Sequence, residues 1–545
     1  MESAAKGAAR GADLLWAALK AAGVSRLFSL SGNHIMEVYD AGFEDATSGK
    51  LPIIHVRHEA AALHMADAWA RLTGEVGVAL VTGGQGHTNA VAALPTAAGG
   101  EVPVLLLSGH APVSELGLGA FQETPQVETA APLCKAAWMV TRVEEIPQAI
   151  ARAVAIAREG RPGPVHLSLP TDVLEGRGSA EIIPPAPRAM PLSPEAADAI
   201  AGLLGRAERP LLVASGTLNT PAGRAALAGL EAALGLPVLV MESPRGLKDP
   251  TLRAAGQLFG EADLVLLLGK PLDFTLGFGR CPPFSAAARW AVVEPDPRLI
   301  DRAQRLVGER LALAVQAAAL PAVQTLSRRV RPARPAWADQ LRRAADFLPA
   351  GWADLPEAGT PHPVPIARRI AACLRPGDVL INDGGEFGQW MLALLRPPPG
   401  GLRICNGVAG AIGASIPFAI AARAARPDNR VVAVMGDGSF GFHMAEFETA
   451  VRHGLPFVAI IGNDGAWNAE HQIQLRAYGA NRAHGCAMLP GTRYDLAVRA
   501  LGGHGEVVDR LEDFAPALER ALASRLPACV NVVMPGEPAP QIRLH

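Results

Sequence analysis

Short apolar runs recur along this chain, and most are continuous instead of alternating with polar residues. Residues 76–84 (VGVALVTGG), 102–109 (VPVLLLSG), 208–216, 236–240, 262–269, 290–296, 431–435 and 457–461 all read this way. Continuous runs suit strands buried on both faces, which occur in parallel sheets covered by helices. Ala-rich stretches of helical character separate the runs, so the pattern predicts an α/β chain of doubly wound parallel sheets. Two segments rich in Pro and Ala, 178–195 and 329–364, break the periodicity and read as linkers. They predict three domains, at 1–186, 190–335 and 358–545.

The first and last thirds share a pattern. Gly83, Pro103 and Gly109 match Gly436, Pro456 and Gly462 at one constant offset of 353. Each glycine closes an apolar run, so the matches fall at corresponding strand ends, and a structural duplication is expected. The middle third carries glycines at 216 and 269 after strand-like runs, compatible with a nucleotide, but no GxGxxG follows a strand.

Composition narrows the classes. At 545 residues, with 49% hydrophobic and 19% charged residues, the chain reads as globular with several cores. A net charge of −2 gives no general electrostatic case for nucleic acid or an anionic membrane. No run of 18 apolar residues occurs, and the N-terminus has neither signal-peptide nor transit-peptide character, so no membrane span is expected and the cytoplasm is the expected location. The six cysteines are scattered without a CxxC pair and read as buried reduced thiols. No GxxxxGK[ST] is present, which removes the P-loop nucleotidases.

Two places carry chemistry. The run 431–435 ends in Gly436-Asp437-Gly438, and the run 457–461 ends in Gly462-Asn463, with a helical stretch, 444–453, between them. A carboxylate and a carboxamide thus emerge at the carboxyl ends of two strands, and two hard oxygen ligands there suit Mg²⁺ holding phosphate oxygens. Glycines 436 and 438 allow backbone N–H groups to approach those phosphates. The second place is Glu59, in the first turn of a helix that follows the strand-like residues 52–56. An acidic residue there also complements the helix dipole and need do nothing more.

The GDG run followed, after the 24 residues 439–462, by Asn463 resembles the signature of thiamine diphosphate (ThDP) enzymes. The segment around Glu59 (Arg57-His58-Glu59 and three alanines), Gly119-Ala120-Phe121-Gln122-Glu123 and the late LPACVNV (526–532) resemble the acetolactate synthase, benzaldehyde lyase and 2-hydroxyacyl-CoA lyase branch. The resemblance implies a metal site of Asp437, Asn463 and the Gly465 carbonyl, and a catalytic Glu59 hydrogen-bonded to a ring nitrogen of the aminopyrimidine in a water-poor pocket. It further implies cofactor contacts from Gly385, Glu386 and Phe387 in the loop after the strand DVLIN, from Gly410 and Ile412, and from Gly436, Gly438 and Ser439. Gln122 would reach the cofactor and the substrate oxygen, and His34 would line the pocket. His55, His58 and His64 are expected to pack or cap.

This chain departs from the family pattern at several positions. Asp464 stands where a second Asn is usual, Gly84-Gln85-Gly86 replaces GPG, Ser31 stands where benzaldehyde lyase has a histidine, and that enzyme has a tyrosine near the position of Gly388. The implied function is ThDP- and Mg²⁺-dependent making or breaking of a carbon–carbon bond next to a carbonyl. Its substrates would be 2-oxo acids, as for acetolactate synthase, or 2-hydroxyketones; a 2-hydroxyacyl-CoA lyase and a 2-oxo acid decarboxylase are the alternatives. An acyl-CoA needs a basic landing site, for which Arg280, Arg305, Arg328 and the tail's Arg543 are candidates. Related enzymes use the middle domain for FAD, for ADP or for nothing. A homodimer or homotetramer is implied, because the family's cofactor lies between domains of two subunits.

Overall fold

The computed structural model of the chain describes residues 8–330 and 334–544. Two compact units divide it: Met1–Arg188 with Ile420–Ala425, and Ala189–Ala419 with Arg426–His545. The first unit is built on a six-stranded sheet. Its strands, in spatial order, are Ile53–His55, Leu27–Leu30, Gly77–Val81, Val104–His110, Val165–Pro170 and Ala136–Met139. Every neighbouring pair is parallel.

The second unit holds two further parallel sheets. One has five strands in the order Val238–Met241, Pro210–Ser215, Leu264–Leu268, Arg289–Val293 and Leu311–Val315. The other has six, in the order Leu402–Cys405, Val379–Asn382, Val431–Gly436, Val458–Asn463, Ala528–Val533 and His504–Val508. Central strands such as Val431–Gly436 and Val458–Asn463 are buried along their whole length, which is why their sequences lack polar alternation. The fold is α/β with three doubly wound parallel sheets.

Both six-stranded sheets follow one order: second, first, third, fourth, sixth, fifth in chain sequence. The glycines matched at the offset of 353 lie at or just past the ends of the third and fourth strands in each copy. Such an open parallel sheet presents its ligand crevice outside the carboxyl ends of the strands.

Two local readings are corrected. Residues 335–346, inside the second segment read as a linker, form a helix, Pro335–Asp346. The prolines and arginines of the segment hid its stripe of Trp337, Ala338, Leu341 and Ala344, which is buried. Trp337 also donates its indole N–H to the Pro210 carbonyl at 2.8 Å. The second correction follows Gly436. A short helix, Asp437–His443, which the sequence pattern did not predict, precedes the one expected over 444–453, observed as Glu446–Arg452.

No disulfide links the six cysteines; Cys486 and Cys529 are buried, whereas Cys281 is exposed. Among the described residues no helix is long and apolar enough to cross a membrane.

Candidate functional site

In the first unit the chemistry gathers around one turn, residues 82–86, after the strand Gly77–Val81. Glu59 is the first residue of the helix Glu59–Thr73. His58 caps that helix, its Nδ1 accepting the Ala60 N–H at 3.1 Å, as expected of a histidine at a helix start. Glu59 is 7% exposed, and Asn89 donates its side-chain N–H to Oε2 at 2.9 Å. Oε1 faces Gly86, where an added Cβ would come within 3.2 Å of it.

His34 and Gln122 border the same turn. The His34 ring is buried, lies 3.3 Å from the Thr82 hydroxyl, and stacks on Phe121 at 5.8 Å between centroids. Burial holds its imidazole below the ordinary value, favouring the neutral ring. Gln122 adopts φ +56°, a left-handed conformation that is uncommon for a side-chain-bearing residue and recurs at functional sites. Gly84 packs against it so closely that a Cβ would meet the Gln122 Cβ at 2.7 Å. Buried Gln126 fixes the turn: it accepts the Gly84 N–H at 3.0 Å and donates to the Gly109 carbonyl at 3.1 Å. Ser31, the departure from the benzaldehyde lyase pattern, places its hydroxyl 3.1 Å from the His55 ring.

The second unit contains a pocket at the carboxyl ends of the strands Val379–Asn382, Val431–Gly436 and Val458–Asn463. Gly385, Glu386, Phe387, Gly410 and Ile412 line it, and so do Gly436, Asp437, Gly438 and Ser439. Strand register pairs Gly436 with Gly462, so Asp437 and Asn463 leave adjacent strands at one level. Asp437 is 2% exposed and accepts the Gly465 N–H at 3.0 Å. Burial, reinforced by the Asp464 carboxylate, pushes its carboxyl up to about 7.

Asn463 donates its amide N–H to Thr492 and to Asn531, each at 3.0 Å, while its buried Oδ1 has no hydrogen-bond partner. The Gly465 carbonyl accepts the Met488 N–H at 2.7 Å and keeps its second lone pair. A buried carboxylate held partly neutral beside an orphaned amide oxygen is a donor set that a hard divalent cation would satisfy. Among the described residues no cluster of three or more His, Cys, Asp or Glu side chains forms a closed metal cage.

The rest of the pocket is organised by Asp383, which the sequence resemblance placed in the loop after DVLIN without assigning it a contact. Asp383 accepts N–H groups from Gly384 at 2.6 Å, Asn406 at 2.7 Å, and Gly413 and Ser415 at 3.0 Å each. These bonds tie the loop after Val379–Asn382 to residues 406–415, and they position Ile412 over Gly384, where a Cβ would lie 2.5 Å from the Ile412 side chain. The available signal was its place at the end of an apolar run, the same place Asp437 occupies. Glu386 is buried; burial raises its carboxyl, opposed by Arg245, whose guanidinium lies 3.9 Å away. Phe387 packs on Gly462, where a Cβ would meet its ring at 2.3 Å. Arg245 and Trp467 also line the pocket, and neither was singled out from the sequence.

Two sheets of identical order, one offering a buried glutamate and the other an Asp/Asn pair beside glycine loops, define a class. Residues 9–129 match the thiamine pyrophosphate enzyme N-terminal TPP binding domain, and residues 383–532 match the C-terminal TPP binding domain. The chain belongs to the thiamine pyrophosphate enzymes, and it is an acetolactate synthase-like ThDP-dependent enzyme.

Its relatives narrow the branch. A probable acetolactate synthase of Mycobacterium bovis is 34% identical over 532 residues, covering 94% of each chain. A 2-hydroxyacyl-CoA lyase 2 of Bos taurus is 33% identical over 92% of this chain and 85% of its own. An acetolactate synthase large subunit of Parasynechococcus marenigrum is 30% identical over 96% of this chain and 87% of its own.

Proposed function

We propose that this chain is a ThDP- and Mg²⁺-dependent carboligase or lyase that forms or cleaves the carbon–carbon bond next to a carbonyl, acting on 2-oxo acids or 2-hydroxyketones. The observation that carries the reading is the pairing of buried Asp437 with the unpartnered Asn463 Oδ1 at adjacent strand ends, in a chain 34% identical to an acetolactate synthase over 94% of its length. Bound ThDP would supply a carbon nucleophile that adds to a carbonyl and accepts the electron pair released when the neighbouring bond breaks.

The protein's own groups do the rest. Asp437, Asn463 and the Gly465 carbonyl would hold Mg²⁺, which would supply positive charge for the diphosphate. Gly385, Gly436, Gly438 and Ser439 bring backbone and hydroxyl donors close to the phosphates, while Gly410, Ile412, Glu386 and Phe387 shape the wall. Glu59 presents Oε1 to a ring nitrogen and holds the shared proton there, in a site poor in water. His34, largely neutral, and Gln122 face the substrate oxygen. The active form is a homodimer or homotetramer in the cytoplasm.

A second reading, a 2-hydroxyacyl-CoA lyase, is favoured by the 33% identity to an enzyme of that name. The two are separated by supplying pyruvate, benzoin and a 2-hydroxyacyl-CoA separately to the purified protein with ThDP and Mg²⁺. CO₂ release from pyruvate with a ligated product, or aldehyde from benzoin, supports the first reading. An aldehyde one carbon shorter than the acyl chain, together with formyl-CoA, supports the second, and no turnover of any of the three contradicts both.

A further inference from the structure

The two oxygens of the Glu59 carboxylate have different surroundings. Oε2 accepts the Asn89 amide N–H at 2.9 Å, whereas Oε1 lies on the side of Gly86, where even a Cβ would come to 3.2 Å. Asn89 sits in the helix Gln85–Val91, and its own Oδ1 accepts from the Gln85 side chain at 3.0 Å. With Oδ1 engaged by Gln85, the amide presents its NH₂ to Glu59. The Glu59 backbone is held separately, as the first residue of the helix whose start His58 caps through the Ala60 N–H. One end of the side chain is therefore set by a helix start and the other by a donor from a different helix.

The terminal torsion of a glutamate is broad and roughly two-fold, so packing alone leaves the carboxylate free to rotate. A charge-assisted bond to a buried carboxylate is the kind of contact that removes this freedom. The i,i+4 pair of Gln85 and Asn89 stabilises its own helix slightly, but that gives no reason for an amide aimed at a residue 30 positions earlier.

We propose that Asn89 is a positioning residue for Glu59: it anchors Oε2 so that Oε1 alone is presented to the cofactor's ring nitrogen. The proposal rests on the reading of Glu59 given above. Asn89 is not among the residues assigned to metal or phosphate, so its loss is expected to leave cofactor binding in place and to lower reactivity.

The test is a double-mutant cycle of Asn89→Ala and Glu59→Gln. Its two readouts are kcat and the rate of cofactor C2–H exchange with deuterated solvent, measured without substrate by NMR after acid quench. Asn89→Ala is expected to slow both by about 10- to 100-fold, the scale of one hydrogen bond to a charged group. ThDP affinity by calorimetry should stay within about threefold. In the Glu59→Gln background the same substitution should change either rate by less than about twofold, because no carboxylate remains to be positioned. Asn89→Asp keeps the shape, removes the donor and sets two carboxylates together, so it should lose at least as much as Asn89→Ala. Wild-type rates for Asn89→Ala, or equal losses in both backgrounds, would overturn the proposal in favour of a merely structural amide. Wild-type exchange in Glu59→Gln alone would instead remove the reading of Glu59 on which the proposal rests.

Discussion

Asp437 is a carboxylate with little access to water, and a second carboxylate, Asp464, opposes its ionisation. In the metal-free protein its carboxyl is pushed up to about 7, so near neutrality a sizeable fraction carries a proton. A raised carboxylate makes the folded metal-free protein relatively more stable on the acid side, where the neutral form fits the site. Mg²⁺ binds the ionised form only, so the sign reverses when metal enters. Mg²⁺ affinity, measured with ThDP by calorimetry, is expected to rise from pH 6 to pH 8 and to level off above. Proton release near pH 7 should appear as a dependence of the heat on buffer ionisation enthalpy; heat independent of buffer would contradict this account of Asp437. Asp437→Ala should abolish ThDP retention and turnover at sub-millimolar Mg²⁺, read by calorimetry and product assay. At this scale the sequence was legible where a strand end placed the side chain, as for Asp437 and Asn463. Asp383 and Asn89 were not, because their partners come from residues 406–415 and from Glu59, brought near only by the fold.

Elements were legible where burial on both faces left an uninterrupted apolar run, as in Val458–Asn463 and Leu264–Leu268. The strands Ala136–Met139 and Leu311–Val315 escaped notice because each lies at a sheet edge, is only half-buried, and is rich in alanine. The helix Pro335–Asp346 escaped for a different reason: Pro and Arg composition masked its stripe, and tertiary contact outweighed the local signal. Close approach between elements also decides which glycines cannot change. Gly462, in the strand Val458–Asn463, lies under the Phe387 ring of the helix Gly385–Leu394. Gly462→Ala would need that buried ring to move, at a cost of about 1–3 kcal/mol. Urea unfolding should register the loss, with ThDP affinity falling as well because Asn463 and the Gly385 loop shift with it. Unchanged stability would mean that the contact is looser than the geometry describes.

Across the whole molecule, the repeat seen as three matched residues becomes two six-stranded sheets with the same strand order. The division of chemistry follows from which copy kept which residues: Glu59 and its amide partner in the first, Asp437 and Asn463 in the last. A net charge of −2 leaves anionic ligands to local devices, the part proposed above for the glycine loops and the Asp/Asn pair. The proposed oligomer should appear by light scattering as at least a dimer under assay conditions; a monomer that turns over substrate would contradict it.

The most direct measurement of the central claim uses Glu59→Gln, which preserves shape and one acceptor while removing the charge. ThDP affinity by calorimetry should stay near wild type, because the metal and diphosphate groups belong to the other unit of the chain. Activity should fall by a factor on the order of 10² to 10⁴, the scale of losing a positioned acid–base group, and cofactor C2–H exchange should slow in parallel. Exchange at the wild-type rate in this variant would contradict the account, leaving Glu59 as a first-turn charge that complements its helix and nothing more.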